Sequence, residues 1–136
     1  MSTISVTSNI IVTGGPSLGF TSSFDVEAYD LVDLVIHGGD TDIEANLQPG
    51  GAVQILAVGT DWQSDPHAPK GKLSFRVSKD EKAAVFKLDE PILFAGGSLS
   101  AFGANEPKSL FLSNTTAGVD KRDAQVRILV ARDATP

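Results

Sequence analysis

The sequence predicts an all-β protein, a single-domain antiparallel β-sandwich of the jelly-roll or immunoglobulin-like type with about ten short strands. Three observations predict this fold class. Apolar and polar residues alternate with period two over short runs, which is typical of half-buried strands. A turn signal recurs roughly every ten to twelve residues, as in sandwiches and barrels. Eight of the 13 glycines fall in four Gly-Gly pairs, which suit tight hairpin turns.

Strand-like runs follow one another along the chain. They lie at 4–12, 18–26, 31–36, 43–47, 53–58, 73–77, 84–88, 92–94, 109–112 and 126–130. The best helix candidate is the segment 78–88, but its charged first half equally suits the tip of a hairpin. No run combines a helical apolar stripe with capping residues, so we expect strands throughout.

The paired glycines mark the predicted turns. The pairs are Gly14-Gly15, Gly38-Gly39, Gly50-Gly51 and Gly96-Gly97. Glycine has no Cβ and adopts the positive φ angles that tight hairpins need. We therefore expect hairpin turns at these pairs.

The composition indicates one domain over residues 1–136. A chain of this length buries roughly two thirds of its unfolded surface, so it needs no disulfide, and it contains no cysteine. Its 17 acidic and 11 basic residues give a net charge of −6 without a basic stripe, so we expect no nucleic-acid partner. A secretory signal pattern is absent, and no apolar run approaches the ~18 residues of a membrane helix. We therefore expect a cytoplasmic protein with no membrane partner.

The segment VIHGGDTDIE, residues 35–44, is the first candidate site. The simpler interpretation is a two-residue hairpin through the glycine pair, with acidic side chains on the solvent face of the following strand. The alternative is a metal site formed by His37, Asp40 and Asp42. Carboxylates on alternate strand residues stand roughly 7 Å apart, so a metal would need further ligands from elsewhere. We favour the hairpin and expect no cofactor.

The loop TDWQSDPHAP, residues 60–69, is the second candidate site. It holds the only tryptophan, Trp62, together with Asp61, Asp65 and His67. An aromatic residue beside polar groups on a long loop is typical of carbohydrate or small-ligand binding. A lone tryptophan is also a common anchor that fixes a loop to the core, and this simpler role is the one we favour.

Catalytic motifs are scarce. The stretch GPSLG matches G-x-S-x-G around Ser17, but the residues after it predict a strand, whereas a nucleophile elbow continues into a helix. Two histidines and no cysteine leave few general bases. We therefore expect a protein without enzymatic activity.

Several strand runs carry apolar residues at neighbouring positions. They are LVDLVI at 31–36, ILAV at 55–58, PILF at 91–94 and ILVA at 128–131. Neighbours on a strand point to opposite faces, whereas one face of each sheet in an isolated sandwich is wet and polar. Such a face can be covered by loops or by another subunit, and apolar runs also arise in small domains from β-propensity alone.

The second explanation leads to a function. We expect a homo-oligomer, a structural or interaction protein that self-associates through apolar strand faces as a component of a larger bacterial or phage-type assembly. The alternative is a module that binds carbohydrate or another small ligand through the Trp62 loop.

Overall fold

Three antiparallel sheets form the part of the chain that the computed structural model describes, which comprises residues 2–26, 28–47, 52–77, 85–89, 92–95 and 109–133. The strands are β1 (Ser2–Ile11), β2 (Ser17–Val26), β3 (Ala28–Ile36), β4 (Ile43–Asn46), β5 (Ala52–Thr60), β6 (Leu73–Arg76), β7 (Phe86–Lys87), β8 (Ile92–Ala95), β9 (Ser109–Asn114) and β10 (Ala124–Asp133). Within these residues the helical segments are two short 3₁₀ helices, Asp61–Ser64 and Gly118–Asp120. The prediction of an all-β protein is confirmed, and every predicted apolar run contains a strand.

Strands β1 and β2 form a separate two-stranded hairpin, residues 2–26, which we call the arm. The strands pair in continuous register from Ser2 opposite Val26 to Ile11 opposite Ser17. At the turn, the Gly15 amide donates a hydrogen bond to the Val12 carbonyl at 2.8 Å. Gly14 has a φ of 73°, which glycine adopts without steric cost. The hairpin predicted at this glycine pair is present.

The other strands form two four-stranded sheets. The first has the order β3-β10-β5-β8 and the second has the order β4-β9-β6-β7. The pairing is nested, because β3 pairs with β10, β4 with β9, β5 with β8 and β6 with β7. The chain changes sheet at every connection after β3 except the one from β6 to β7.

The inward faces of the two sheets share one hydrophobic core. Buried members from both sheets include Ile36, Leu56, Val58, Leu73, Phe75, Leu110, Leu112, Val126, Ile128 and Val130. Burial alternates strictly along β9, so every second side chain enters this core. Each large side chain buried in this way contributes about 1.5–3 kcal/mol. A slip of one residue would expose a whole strand's apolar set, and the core therefore fixes the register.

The outer faces of the two sheets differ in chemistry. Register and alternation place Glu44, Asn46, Ser74, Arg76, Lys87, Ser109, Phe111 and Ser113 on the outer face of the second sheet. The same reasoning places Tyr29, Leu31, Val35, Ile55, Ala57, Leu93, Leu129 and Ala131 on the outer face of the first sheet. An ion pair between Arg127 Nε and Asp33 Oδ1, 2.8 Å apart, completes this second set. One outer face is thus polar and the other is mostly hydrocarbon.

The hairpin predicted at Gly38-Gly39 is wrong. Its turn carries the chain from β3 in the first sheet to β4 in the second, and these strands do not pair with each other. The Asp40 amide donates to the His37 carbonyl at 3.0 Å, and of the two glycines Gly39 alone has a positive φ, 92°. A turn between two sheets requires the same glycine chemistry as a hairpin turn, which is why the pattern misled.

Some predictions fall outside the described residues. These are the glycine pairs Gly50-Gly51 and Gly96-Gly97 and the first part of the helix candidate, residues 78–84. The end of that candidate, Phe86–Lys87, is a strand. None of the helices in the described ranges is long and apolar enough to cross a membrane.

Candidate functional site

Both candidate sites, residues 35–44 and residues 60–69, lie at the same end of the two sheets. At this end β3, β5 and β9 finish and β4, β6 and β10 begin. Three loops meet there, formed by residues 37–42, 61–72 and 115–123.

Trp62 is buried inside this group of loops. The Thr60 side chain starts the 3₁₀ helix by accepting a hydrogen bond from the Trp62 amide at 3.2 Å. The indole is only 4% exposed, and its Nε1 donates to the Asp123 carbonyl at 3.2 Å. Trp62 therefore anchors the loop after β5 to the loop before β10. This is the simpler of the two roles that the sequence predicted for it.

Arg122 joins Trp62 to Asp65. Its guanidinium carbon lies 5.5 Å from the centre of the indole ring, a cation–π distance. Its Nη2 donates to Asp65 Oδ2, and Asp65 Oδ1 accepts from the His67 amide at 2.9 Å. The Arg122 hydrogen bond, followed by the His67 backbone hydrogen bond, lowers the pKa of Asp65 below its ordinary value. Asp65 is therefore a charged, well-anchored carboxylate at neutral pH.

The remaining two predicted ligand-binding residues have different surroundings. Asp61 Oδ1 accepts a hydrogen bond from the Gln125 amide at 3.0 Å and so caps the start of β10. His67 is exposed and lines an open cavity of about 660 Å³, together with Lys72, Lys121 and Arg122. The structure thus places Trp62, Asp65 and His67 in one loop cluster, and Asp61 at its edge. Ligand binding by these four residues stays a prediction.

The three residues predicted as metal ligands are held by other protein groups. Asp40 Oδ2 accepts from the His37 amide at 2.9 Å. Both oxygens of Asp42 accept from Arg76, at 3.1 Å from Nε and 2.8 Å from Nη2. His37 Nδ1 lies 3.1 Å from Asp123 Oδ2. Among the described residues, no group of three or more histidine, aspartate or glutamate residues is placed to hold a metal ion.

Asp123 connects the two clusters. Its carbonyl accepts from Trp62, and its carboxylate contacts His37 and accepts from the Gly38 amide at 3.2 Å. The His37 hydrogen bond, followed by the Gly38 backbone hydrogen bond, lowers the pKa of Asp123. A negative charge at Asp123 therefore supports the turn between β3 and β4.

Asn114 forms a buried polar centre beneath the loops. Its Nδ2 donates to the carbonyls of Ile36 at 3.0 Å and Arg122 at 2.7 Å. Its Oδ1 accepts from the Thr116 hydroxyl at 2.7 Å and from the Thr116 amide at 3.2 Å. The side chain is fully buried and all its hydrogen-bonding groups are satisfied.

Sequence reasoning missed Asn114, Arg122 and Asp123. Each acts on residues far away along the chain, and Arg122 is 57 positions from Asp65. Local periodicity and motif spacing carry no signal for such pairs.

A comparison of the chain with protein-family models, curated proteins and solved structures finds no match in any of the three.

Proposed function

We propose that this protein is a non-enzymatic structural protein whose copies associate through the outer face of the first sheet. The observation that carries the proposal is the contrast between the two outer faces. In a protein that works as a single copy, the outer faces of both sheets are expected to be polar. The second sheet meets that expectation, and the first sheet does not.

The strand order supports a finer description of the fold as a jelly-roll sandwich. Eight strands in two sheets that share a core, with nested pairing from β3–β10 inward to β6–β7, correspond to one long hairpin rolled on itself. Jelly rolls occur in viral capsid proteins, in lectins and in cupins. The fold alone does not select among these roles, so the surface has to decide.

The surface that decides is a row of four neighbours, Leu31 on β3, Leu129 on β10, Ala57 on β5 and Leu93 on β8, which we call the outer row. It crosses all four strands and therefore spans about 15 Å. Leu31 is 51% exposed and Leu93 is 41% exposed. Contiguous apolar surface of this kind marks an interaction site more often than scattered single residues do.

A second copy of the chain fits the outer row better than a strongly charged partner. The row has no charge of its own, and the charged residues that the described strands place beside it on this face, Arg127 and Asp33, neutralise each other. Completing the burial of one half-exposed leucine contributes about 1 kcal/mol. Closed symmetric association repeats each such gain once per copy.

Analytical ultracentrifugation at tens of micromolar tests the proposal. We expect the wild-type protein to be oligomeric and Leu31→Lys to dissociate it, because a lysine charge would be buried in the contact. Asn46→Lys is the matched control, since it adds the same charge to the exposed outer face of the second sheet. Both changes reduce the net charge of −6, so general repulsion cannot explain a difference. A wild-type protein that stays monomeric at this concentration would exclude the proposed function.

The cavity beside His67 favours a second function, the binding of a carbohydrate or small ligand that carries acidic groups. Lys72, Lys121 and Arg122 line this cavity with one acidic residue, Asp120, in a chain that is acidic overall. The buried Trp62 supports the cavity wall through Arg122 and does not offer a ring for stacking.

A glycan array containing neutral and carboxylated sugars tests this second function. We expect binding to carboxylated sugars alone, and we expect it to be lost in Lys121→Glu and retained in Lys87→Glu, which lies on the outer face of the second sheet. Binding that is unchanged in Lys121→Glu would rule out this cavity.

A further inference from the structure

The arm is an amphipathic ribbon. Directly opposed residues share a face, so Ile4, Val6, Ile10, Leu18 and Phe20 lie on one side. The other side is polar except for Ile11 beside the turn, which is 76% exposed. Cross-strand contacts on this side link Thr3 with Asp25, Ser5 with Ser23 and Thr7 with Thr21, at 3.0, 3.5 and 3.4 Å. Such a ribbon has one face that is suited to water and one that is suited to apolar cover.

The base of the arm, residues 2–8 and 21–26, already covers part of the first sheet. Val26 is buried against Ile55 and Ala131, and Ile4 and Val6 pack on the same cluster. Ile55 and Ala131 belong to the outer face of that sheet, in the row next to the outer row. A cavity lined by Ile4, Tyr29 and Leu129 lies where the arm base meets the outer row. The apolar face of the arm is therefore complementary to this outer face.

The distal half of the arm, residues 9–20, continues the same apolar face without cover. Its residues are all exposed. Ile10 is 54%, Leu18 is 61% and Phe20 is 50% exposed. The segment from Asn9 to the turn extends about 20 Å at strand geometry.

Two further features indicate that the distal half is built for contact. No charged side chain precedes Asp25, so all 17 acidic and 11 basic residues of the chain lie from that position onward. Among the described strands, β1 and β2 pair with each other alone. Natural proteins usually protect the edge of a strand that has no second partner strand with lysine, proline or a bulge. The arm strands contain neither residue, and their pairing is regular. An isolated two-stranded hairpin is only marginally stable in water.

We propose that the distal half of the arm lies on the outer row of a second copy of this chain. The proposal rests on the self-association proposed above and identifies the segment that performs it. The base of the arm shows that its apolar face packs on this sheet, and the distal half repeats the same face toward a neighbour. The distal half of the arm has no charged side chain and therefore approaches an acidic neighbour without repulsion, whereas two bodies of net charge −6 repel each other.

The size of the contact suits a specific interface. A distal arm face about 10 Å wide and 20 Å long buries surface on the arm and on the receiving sheet. Reciprocal exchange of two arms, together with the neighbouring row residues, buries on the order of 1,000 Å², where specific interfaces begin.

The first experiment compares Phe20→Lys with Thr21→Lys by sedimentation velocity. These adjacent β2 residues point to opposite faces of the arm, so each variant adds the same charge to a different side. We expect Phe20→Lys to weaken association by at least about tenfold and Thr21→Lys to leave it unchanged. Retention of the wild-type oligomer by Phe20→Lys would overturn the role of the arm and leave self-association intact. A monomeric wild-type protein would overturn both.

The second experiment locates the receiving surface. Because the chain has no cysteine, single-cysteine variants report contacts without background. We expect oxidation of an equal mixture of Phe20→Cys with Leu31→Cys, or with Leu93→Cys, to give disulfide-linked heterodimers. Phe20→Cys mixed with Val119→Cys is the control, because Val119 is fully exposed on the loop before β10. Cross-linking of Phe20→Cys only to itself would show arms pairing with arms, and would overturn the proposed receiving surface.

Discussion

Asn114 donates a hydrogen bond from its side-chain Nδ2 to the carbonyl oxygen of Ile36 at 3.0 Å, across 78 positions of sequence. The bond joins the end of β9 in the second sheet to the end of β3 in the first. A second bond from the same Nδ2 reaches the Arg122 carbonyl. This single amide therefore connects both sheets and the loop before β10.

Asn114→Asp is expected to destabilise the fold strongly. The carboxylate would set an acceptor oxygen against the two carbonyls that now accept from Nδ2, in a fully buried site. Disrupting a buried polar network in this way costs about 3–5 kcal/mol. Urea unfolding measures the effect, with Asn46→Asp on the exposed surface of β4 as the control. Equal unfolding midpoints for the two variants would contradict the assigned role of Asn114.

The two neighbouring glycines of the β3–β4 turn are expected to respond differently to alanine. A Cβ on Gly38 would lie 2.8 Å from Thr116 Oγ1 and 3.1 Å from the Arg122 amide nitrogen, whereas a Cβ on Gly39 would meet nothing within 4 Å. Gly38→Ala should therefore cost about 2–3 kcal/mol through overpacking. Gly39→Ala should cost about 1–2 kcal/mol through its positive φ alone.

A double variant separates the possible obstacles at Gly38. The nearest atom to the added Cβ is Lys121 Cγ at 2.5 Å, and a flexible lysine side chain can move away. We expect Lys121→Ala to restore little of the stability lost in Gly38→Ala, because the Arg122 backbone and the buried Thr116 remain. Full recovery in thermal unfolding would show that the lysine side chain was the whole obstacle.

Trp62 is expected to report its own burial. It is the only tryptophan of the chain, so native fluorescence should be blue-shifted and should move to the red on unfolding. Trp62→Phe removes the donor to the Asp123 carbonyl and should cost about 1–3 kcal/mol, whereas Trp62→Ala also leaves a void and should cost about 3–5 kcal/mol. His67→Ala on the same loop is the exposed control. Native emission like that of free tryptophan would contradict the anchor role.

The positions of the strands could be predicted from the sequence because period-two alternation is a local property of each strand. The choice of partner is not local. The end of β3, Ile36, lies opposite Ala124 of β10, and no spacing rule connects these residues. The wrong prediction at Gly38-Gly39 has the same origin, since a turn fixes the local backbone but not the sheet that the next strand joins.

In the candidate site, too, local features could be predicted from the sequence and contacts between distant segments could not. The sequence singled out Trp62 and Asp65 because unusual residues were concentrated in one loop. It could not predict that Arg122 would contact both residues, because the loop before β10 reaches Trp62 only after the sheets have assembled. The apolar outer row was predictable in kind from neighbouring hydrocarbon residues, whereas its continuity across four strands depends on the register between them.

The pair formed by Asp65 and Arg122 predicts a pH dependence. Because the pKa of Asp65 in the folded protein lies below its value in the unfolded chain, about 3.9, the carboxylate contributes stability above that pH. The contribution is lost as the pH falls through the folded-state pKa. Asp65→Asn lacks it at every pH, so its deficit in free energy of unfolding should be largest at neutral pH and should shrink below about pH 4.

The cause of this shift can be tested directly by NMR titration of the Asp65 carboxyl carbon. Arg122→Gln removes the cation whose hydrogen bond contributes most to lowering the pKa of Asp65, so this pKa should rise toward its ordinary value. Arg127→Gln removes the same charge from the outer face of the first sheet, where the arginine pairs with Asp33, and should leave the Asp65 titration unchanged. If both variants shifted the titration equally, general charge would be responsible. If neither did, the His67 amide bond would be the dominant cause. Only a shift confined to Arg122→Gln agrees with the contact seen in the structure.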